Sequence, residues 1–481
     1  MPVIHNPTFS SRDCDHPLLL NMIVLGSMFI AGNDTVAKAD ALWRLANAAV
    51  ATSWEGLLKR KGLHDQHPGT QLVVTSYLRS MYAMLSASQE LRSIGQTSLG
   101  LGFQWARQCG IVTAASQPKP TFLPSALIST TELDTRWRVW VSEETQRRAI
   151  LGHYVLDGLL TDFTGQPTAV RHTANPLMLP YSDRLYDAKT ADGWLHEVSL
   201  EAQDTMTFRQ LYIVLFDAES TFEALRLSYL SIRVVLEALQ SLIYEHHELG
   251  GCTIGTPSKT NISFALSRLH RTQINTLSST QERVEHAIRW HVICIRMCVE
   301  TSSIARQICE LYNIPQTLHT IDTQSGADIH RLGRLQTRDD RRALLHAVAL
   351  AELGLQLNLG RAHAVHLPMA IYTAAVIFAA VLANMCRAGR KTVIAVPIAR
   401  SWDDLSESVD NSDPHGPVSK FLSGVASDSR DGWTKRNVAD DLNGLYLIMQ
   451  QLQPYWGVSA QLSDTVRQWL LIPSFVQHPG I

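Results

Sequence analysis

The chain has 481 residues, 45% of them hydrophobic, and 42 Lys and Arg against 44 Asp and Glu give a formal charge of −2. That length can bury a large core and, taken alone, suggests two to four domain-sized units; the apolar fraction is typical of a soluble globular protein. The balanced charge supplies no concentrated positive face for phosphates, and the most basic stretch, 331–342, carries Asp339 and Asp340 within it.

In chain order, residues 18–31 are apolar but too short for an ordinary membrane span, and Asn21 interrupts them. Apolar residues recur at helical spacing over 40–59, 71–93, 98–109 and 132–160, with Pro118, Pro120 and Pro124 separating the last two. A polar crossing follows Asp162 and runs past Pro167, Pro176 and Pro180. Helical periodicity returns over 208–248 and stops at Gly250-Gly251; 261–269 and 281–312 form the next helical block.

Residues 322–337 are polar and read as an exposed connection. Helices resume over 341–359 and 369–387, with Pro368 suited to the start of the second. The apolar run 369–386 approaches membrane-span length, but Tyr372, Thr373 and Asn384 favour a buried central helix. Val393, Ile394, Ala395 and Val396 make one short apolar run, which does not by itself establish a strand. A long loop rich in Asp, Ser, Gly and Pro is expected over 403–431, with one short helix in it, and 440–452 and 460–471 supply the last helices. No fixed-period repeat marks a solenoid. The expected fold is all-α, an irregular multi-helix bundle forming one integrated unit over 1–481.

The seven cysteines, Cys14, Cys109, Cys252, Cys294, Cys298, Cys309 and Cys386, are widely spaced and odd in number. With no signal peptide evident, they fit a reducing intracellular compartment and form no paired zinc-finger cluster. No glycine-rich phosphate loop or nucleophile elbow is present. Asp339-Asp340 and Asp403-Asp404 do not make the opposed carboxylates of a magnesium-dependent helical synthase. We therefore assign no metal and no cofactor, whether ATP, NAD, zinc or magnesium.

Trp137, Trp140, Glu144 and Arg148 fall on one helix face at i, i+3, i+7 and i+11, with Arg147 beside them. They can wall a ligand pocket in which an arginine fixes a ligand oxygen, or they can be two packing aromatics and a satisfied ion pair. His153 and Asp157 are four apart; Asp157 can orient His153 as a base or hold a structural hydrogen bond. Trp290 and His291 share a helix with Cys294 and Cys298, but one helix presents such ligands in a rising row that cannot surround zinc. His363 and His366 precede Pro368 and Tyr372, where they can move protons at a cavity mouth or cap a turn packed by the tyrosine. Glu245-His246-His247-Glu248 ends a helix and lacks the metalloprotease spacing.

The run Trp137-Arg138-Val139-Trp140-Val141-Ser142-Glu143-Glu144-Thr145-Gln146-Arg147-Arg148 continues to His153 and Asp157, then through Gly165-Gln166-Pro167 toward Leu179-Pro180 and Trp194. It resembles the middle regulatory domain of fungus-specific transcription factors, and the opening Pro2-Val3-Ile4-His5-Asn6-Pro7-Thr8-Phe9 resembles that family's lead-in. The likeness covers the beginning and middle of the chain; the last third shares mainly its helicity. It implies nuclear gene regulation and makes Asp157 a recurring architectural residue near a helix end. Such regulators reach DNA through a zinc cluster or C2H2 fingers, and this sequence contains neither pattern, so no autonomous specific DNA binding is expected.

The expected function is thus to bind an apolar metabolite or a regulatory protein, with an apolar helix seam that would also suit a homodimer and no membrane association. The alternative is a cytoplasmic, cofactor-independent secondary-metabolism enzyme, a cyclase, isomerase or lyase. There Trp290 would stack on substrate rings while His153, Asp157, His363, His366 or Tyr372 moves or stabilises a proton.

Overall fold

The computed structural model describes residues 3–30, 33–117, 128–200, 206–248, 255–315, 329–358, 364–398, 416–424 and 432–472. They form nineteen α-helices and one pair of short strands, divided into two compact units: Met1–Leu159 with Thr168–Ala238, and Leu160–Pro167 with Leu239–Ile481.

The first unit begins with α1 (His16–Ser27), α2 (Asn33–Lys59) and α3 (Thr70–Leu85), which pack on one another. On α2, Trp43, Ala46, Val50 and Leu57 recur at helical spacing and are buried; the Trp43 indole donates to the carbonyl of Arg79 at 3.0 Å. The periodic run 71–93 is two helices rather than one. Ser86 is extended, and Ser88 starts α4 (Gln89–Gln108) by accepting the Leu91 N–H. This serine cap reverses the chain without disturbing the apolar spacing, which is why periodicity alone misses it. Gly95 lets α4 approach α3 closely, since a Cβ there would lie 2.6 Å from that of Ala83.

After α5 (Ile111–Ala115) comes α6 (Thr130–Thr164), 35 residues long and the helix expected over 132–160. Short helices α7 (Asp183–Tyr186), α8 (Ala191–Leu200) and α9 (Phe208–Phe216) follow. Thr207 and Gln210 form a reciprocal capping box at the start of α9. The run 208–248 is broken at Asp217, and helix resumes in α10 (Tyr229–Glu248).

The second unit continues with α11 (Lys259–Leu269), which passes into a π-helical turn at His270–Ile274, then α12 (Thr280–Cys298) and α13 (Thr301–Leu311). β-Branched Val299, extended at φ −147° and ψ 146°, separates the last two. Next are α14 (Ile329–Gly333), α15 (Arg338–Gly354) and α16 (Leu367–Arg387). Helix α16 begins with the expected proline and has length and composition enough to cross a membrane, but 89% of its apolar window is buried in the protein. It packs against α12, α13, α14 and α15 and against two later helices, so protein contacts account for its apolar surface.

Strand β1 (Val393–Pro397) corresponds to the short run that sequence left unassigned. After α17 (Pro417–Ser423) it pairs antiparallel with β2 (Trp433–Asn437), from Val393 opposite Asn437 to Pro397 opposite Trp433. A partner so far along the chain explains why one apolar run could not reveal the strand. The last elements among the described residues are α18 (Val438–Leu452) and α19 (Val458–Leu470), both against α16. Helix α17 lies inside the loop expected over 403–431; residues 403–415, 425–431 and 322–328 lie outside the described residues.

Candidate functional site

Arginine and glutamate four apart on α6 meet as their spacing requires. Arg148 donates from Nε to Glu144 Oε1 at 2.9 Å, from Nη1 to Asp183 Oδ1 at 2.6 Å and from Nη2 to the Tyr181 carbonyl at 2.9 Å. Its guanidinium carbon lies 4.0 Å from the centre of the Tyr186 ring. Glu144 also receives Arg147 Nη1 and the Tyr181 N–H. Burial opposes charge on Arg148, but Glu144 and Asp183 outweigh it and raise its pKa. Trp137 packs edge-on to His5, and Trp140 lies between Tyr181 and Trp194. Tyr186 in turn donates to the Val3 carbonyl at 3.0 Å. The constellation therefore ties the lead-in segment and residues 181–186 to α6, and each guanidinium nitrogen of Arg148 faces a protein acceptor.

Asp157 accepts the N–H groups of Ala169 and Val170 at 2.9 and 3.3 Å and pairs with His172 Nε2 at 3.2 Å. It fastens the polar crossing after α6. His153 bonds elsewhere: Nδ1 donates to the Ala149 carbonyl at 2.9 Å. Its Nε2 has no hydrogen-bond partner among the described residues and faces Gly102, where a Cβ would lie 2.0 Å away. Burial pulls the His153 pKa down to about 4.

In the second unit, Trp290 donates its indole N–H to the Leu266 carbonyl at 2.8 Å, and its ring centre lies 4.4 Å from that of His270. His291 Nδ1 is 2.9 Å from His346 Nδ1, so one ring donates and the other accepts. His270 and His346, which sequence did not single out, complete this buried group. Burial lowers the pKa of His270 to about 4 and of His346 to about 3, and places that of His291 well below its ordinary value. His366 Nε2 donates to the Glu285 carbonyl at 2.9 Å, and Tyr372 stacks on Trp469 with centroids 5.6 Å apart. His363 lies outside the described residues. Among the described residues, no three His, Cys, Asp or Glu side chains gather as a metal site would require.

A half-open cavity of about 230 Å³ lies between α10, α11 and α12. Ile243, His246 and His247, at i, i+3 and i+4, present the last turns of α10 to it; Lys259 and Ile262 come from the first turn of α11, Met297 and Cys298 from the last turn of α12. Ile243, Ile262, Met297 and Cys298 are buried and form an apolar floor, while half-buried His246 and exposed His247 stand at the rim. Lys259 Nζ donates to Asp339 Oδ2 at 2.6 Å, and His247 Nε2 donates to the Arg296 carbonyl at 2.9 Å. Partial burial, His247 and Lys259 lower the pKa of His246, in that order.

Buried Asp162 pairs with Arg289 at 2.5 Å and Arg296 at 3.3 Å, and Arg296 reaches the Tyr244 hydroxyl. Sequence reasoning set the His246-His247 pair aside for lacking metalloprotease spacing and did not reach Ile243, Lys259, Ile262 or Met297. The local signal was a one-sided i, i+3, i+4 pattern at the end of α10; the rest arrives from two later helices.

The chain is similar to Transcription factor MYCGRDRAFT_87993 of Zymoseptoria tritici, with 22% identity over 289 residues, 55% of this chain and 28% of that protein. It is similar also to Transcription factor 1 of Elsinoe fawcettii, with 24% identity over 222 residues, 44% of this chain and 22% of the relative. The matches thus span about a quarter of the length of these curated relatives. No family model matches the chain, and no solved structure matches it.

Proposed function

We propose that this chain acts as a helical regulatory domain of the fungal transcription-factor kind, working in the nucleus. In this reading it binds a small metabolite between α10, α11 and α12 and passes the occupied state to a protein partner, without reading DNA itself. The cavity carries the proposal: an apolar floor with a few polar groups at its rim is the usual character of a small-molecule site, and its half-open form lets a ligand exchange. The partial similarity to two fungal transcription factors supports the regulatory setting.

The enzymatic alternative draws less support from the geometry. A general base must reach its substrate proton directly or through one water. His153 turns its unpartnered nitrogen to Gly102, and Asp157 holds two backbone amides and His172.

Native mass spectrometry of protein purified from its source, followed by denaturing extraction, tests the proposal. The expected result is a retained small molecule that is lost in His246→Trp, a rim substitution that plugs the mouth while sparing the core. Retention unchanged by that substitution, or conversion of the extracted compound by the protein, would overturn it.

A further inference from the structure

We infer that the cavity between α10, α11 and α12 takes an uncharged aromatic alcohol of one ring, an inference that rests on reading the cavity as a ligand site. The charges around it cancel. Lys259 lines it, but Asp339 holds its ammonium at 2.6 Å, and Arg342 stands 3.9 Å from the same carboxylate. Helix α11 brings its positive pole to the cavity, while α10 and α12 bring their negative poles. Two first-turn amides of α11 are already engaged, Asn261 N–H by Ser258 Oγ and Ile262 N–H by the Ser258 carbonyl. An ionic ligand therefore finds no formal counter-charge left over in the lining. It must still give up water against Ile243, Ile262, Met297 and Cys298, and a charge desolvated without a partner is costly whatever its sign.

The rim offers hydrogen bonding without charge. His247 gives Nε2 to the Arg296 carbonyl at the end of α12. His246 meets His247 ring to ring, with centroids 6.4 Å apart, and its own ring makes no hydrogen bond among the described residues. Burial first, then His247 and Lys259, lowers the pKa of His246, so this ring is neutral at pH 7. A neutral imidazole carries one lone pair and one N–H. A hydroxyl answers either, because it both donates and accepts, whereas an ether or carbonyl answers only the N–H. The floor suits a ring, since the Met297 thioether adapts to irregular shapes and contacts aromatic edges favourably. An apolar cavity of roughly 150 Å³ takes one benzene, so about 230 Å³ takes a ring with a short side chain.

Isothermal titration calorimetry of the full chain with 2-phenylethanol, phenylacetate and 2-phenylethylammonium tests the inference, because the three share a ring and differ in charge. The alcohol should bind about tenfold more tightly than either ion. His246→Phe keeps a ring at the rim but removes its nitrogens, and should weaken the alcohol about fivefold. His246→Trp should abolish binding of all three, with circular dichroism confirming that both variants are folded. Equal or tighter binding of an ion, or an alcohol affinity unchanged in His246→Phe, would overturn the assignment and leave the cavity as a site for another ligand. No binding of any of the three, or binding unchanged in His246→Trp, would overturn the cavity reading together with the inference.

Discussion

Arg79 and Arg148 are both buried in the first unit, at 3% and 0% exposure, but their surroundings differ in sign. Arg148 faces two carboxylates, while Arg79 bonds only through Nη1, to Asn47 Oδ1 at 2.9 Å; its Nε and Nη2 have no partner among the described residues. Burial lowers the Arg79 pKa to about 10. Removing one member of a buried pair strands the other charge, so Arg148→Met should cost about 3–5 kcal/mol. Arg79→Met removes a cation without a carboxylate and should change stability by no more than about 1 kcal/mol in either direction. Urea unfolding of both variants checks the contrast, and equal losses would contradict it. The Glu144–Arg148 pair was legible from its i, i+4 spacing; the missing partner of Arg79 has no sequence signature. Gly102 is a second such position. Gly102→Ala should destabilise by about 1–3 kcal/mol through overpacking on His153, and adding His153→Ala should make the double variant less unstable than the two single losses summed.

The π-helical turn after α11 brings His270 onto Trp290, while α12 and α15 place His291 against His346. These histidines are buried in the neutral form, with pKa values lowered first by burial. Below about pH 6.5 the unfolded chain binds protons that the folded chain refuses. Stability is therefore complete above that pH and falls as pH drops toward the folded values near 4 for His270 and 3 for His346. His270 alone should contribute a loss of about 2 kcal/mol at pH 5 relative to pH 7. Thermal melts from pH 7 to 4.5 should show a falling Tm, with a shallower fall in His270→Phe; parallel curves would rule out the assignment. The long helices α6 and α16 were legible because their apolar patterns persist. The breaks at Ser86–Ser88, Asp217 and Val299 were not, since capping and extended residues interrupt helix without interrupting periodicity. The cavity was hidden for a related reason: each of its three helices contributes an unremarkable pair or triplet, and only their packing makes a floor and a rim.

Across the whole molecule, positive and negative side chains nearly cancel. Several arginines are paired with carboxylates of the chain itself: Arg148 with Glu144 and Asp183, Arg289 and Arg296 with Asp162, Arg436 with Glu352 and Asp441. Such cations cannot release counterions from a duplex, the process that drives sequence-independent DNA binding. We expect fluorescence anisotropy with random and fungal-promoter duplexes to show no saturation below about 100 μM at physiological salt, the weak limit of ordinary non-specific binding. Saturable micromolar binding would contradict this, and the slope of log affinity against log salt would count the phosphates engaged, at roughly 0.9 per phosphate. A slope of several units would require a basic face assembled from distant residues and would move the regulatory reading from partner contact to direct DNA contact. A flat binding curve would agree with the proposed action through a ligand and a protein partner, because neither depends on neutralising a polyanion.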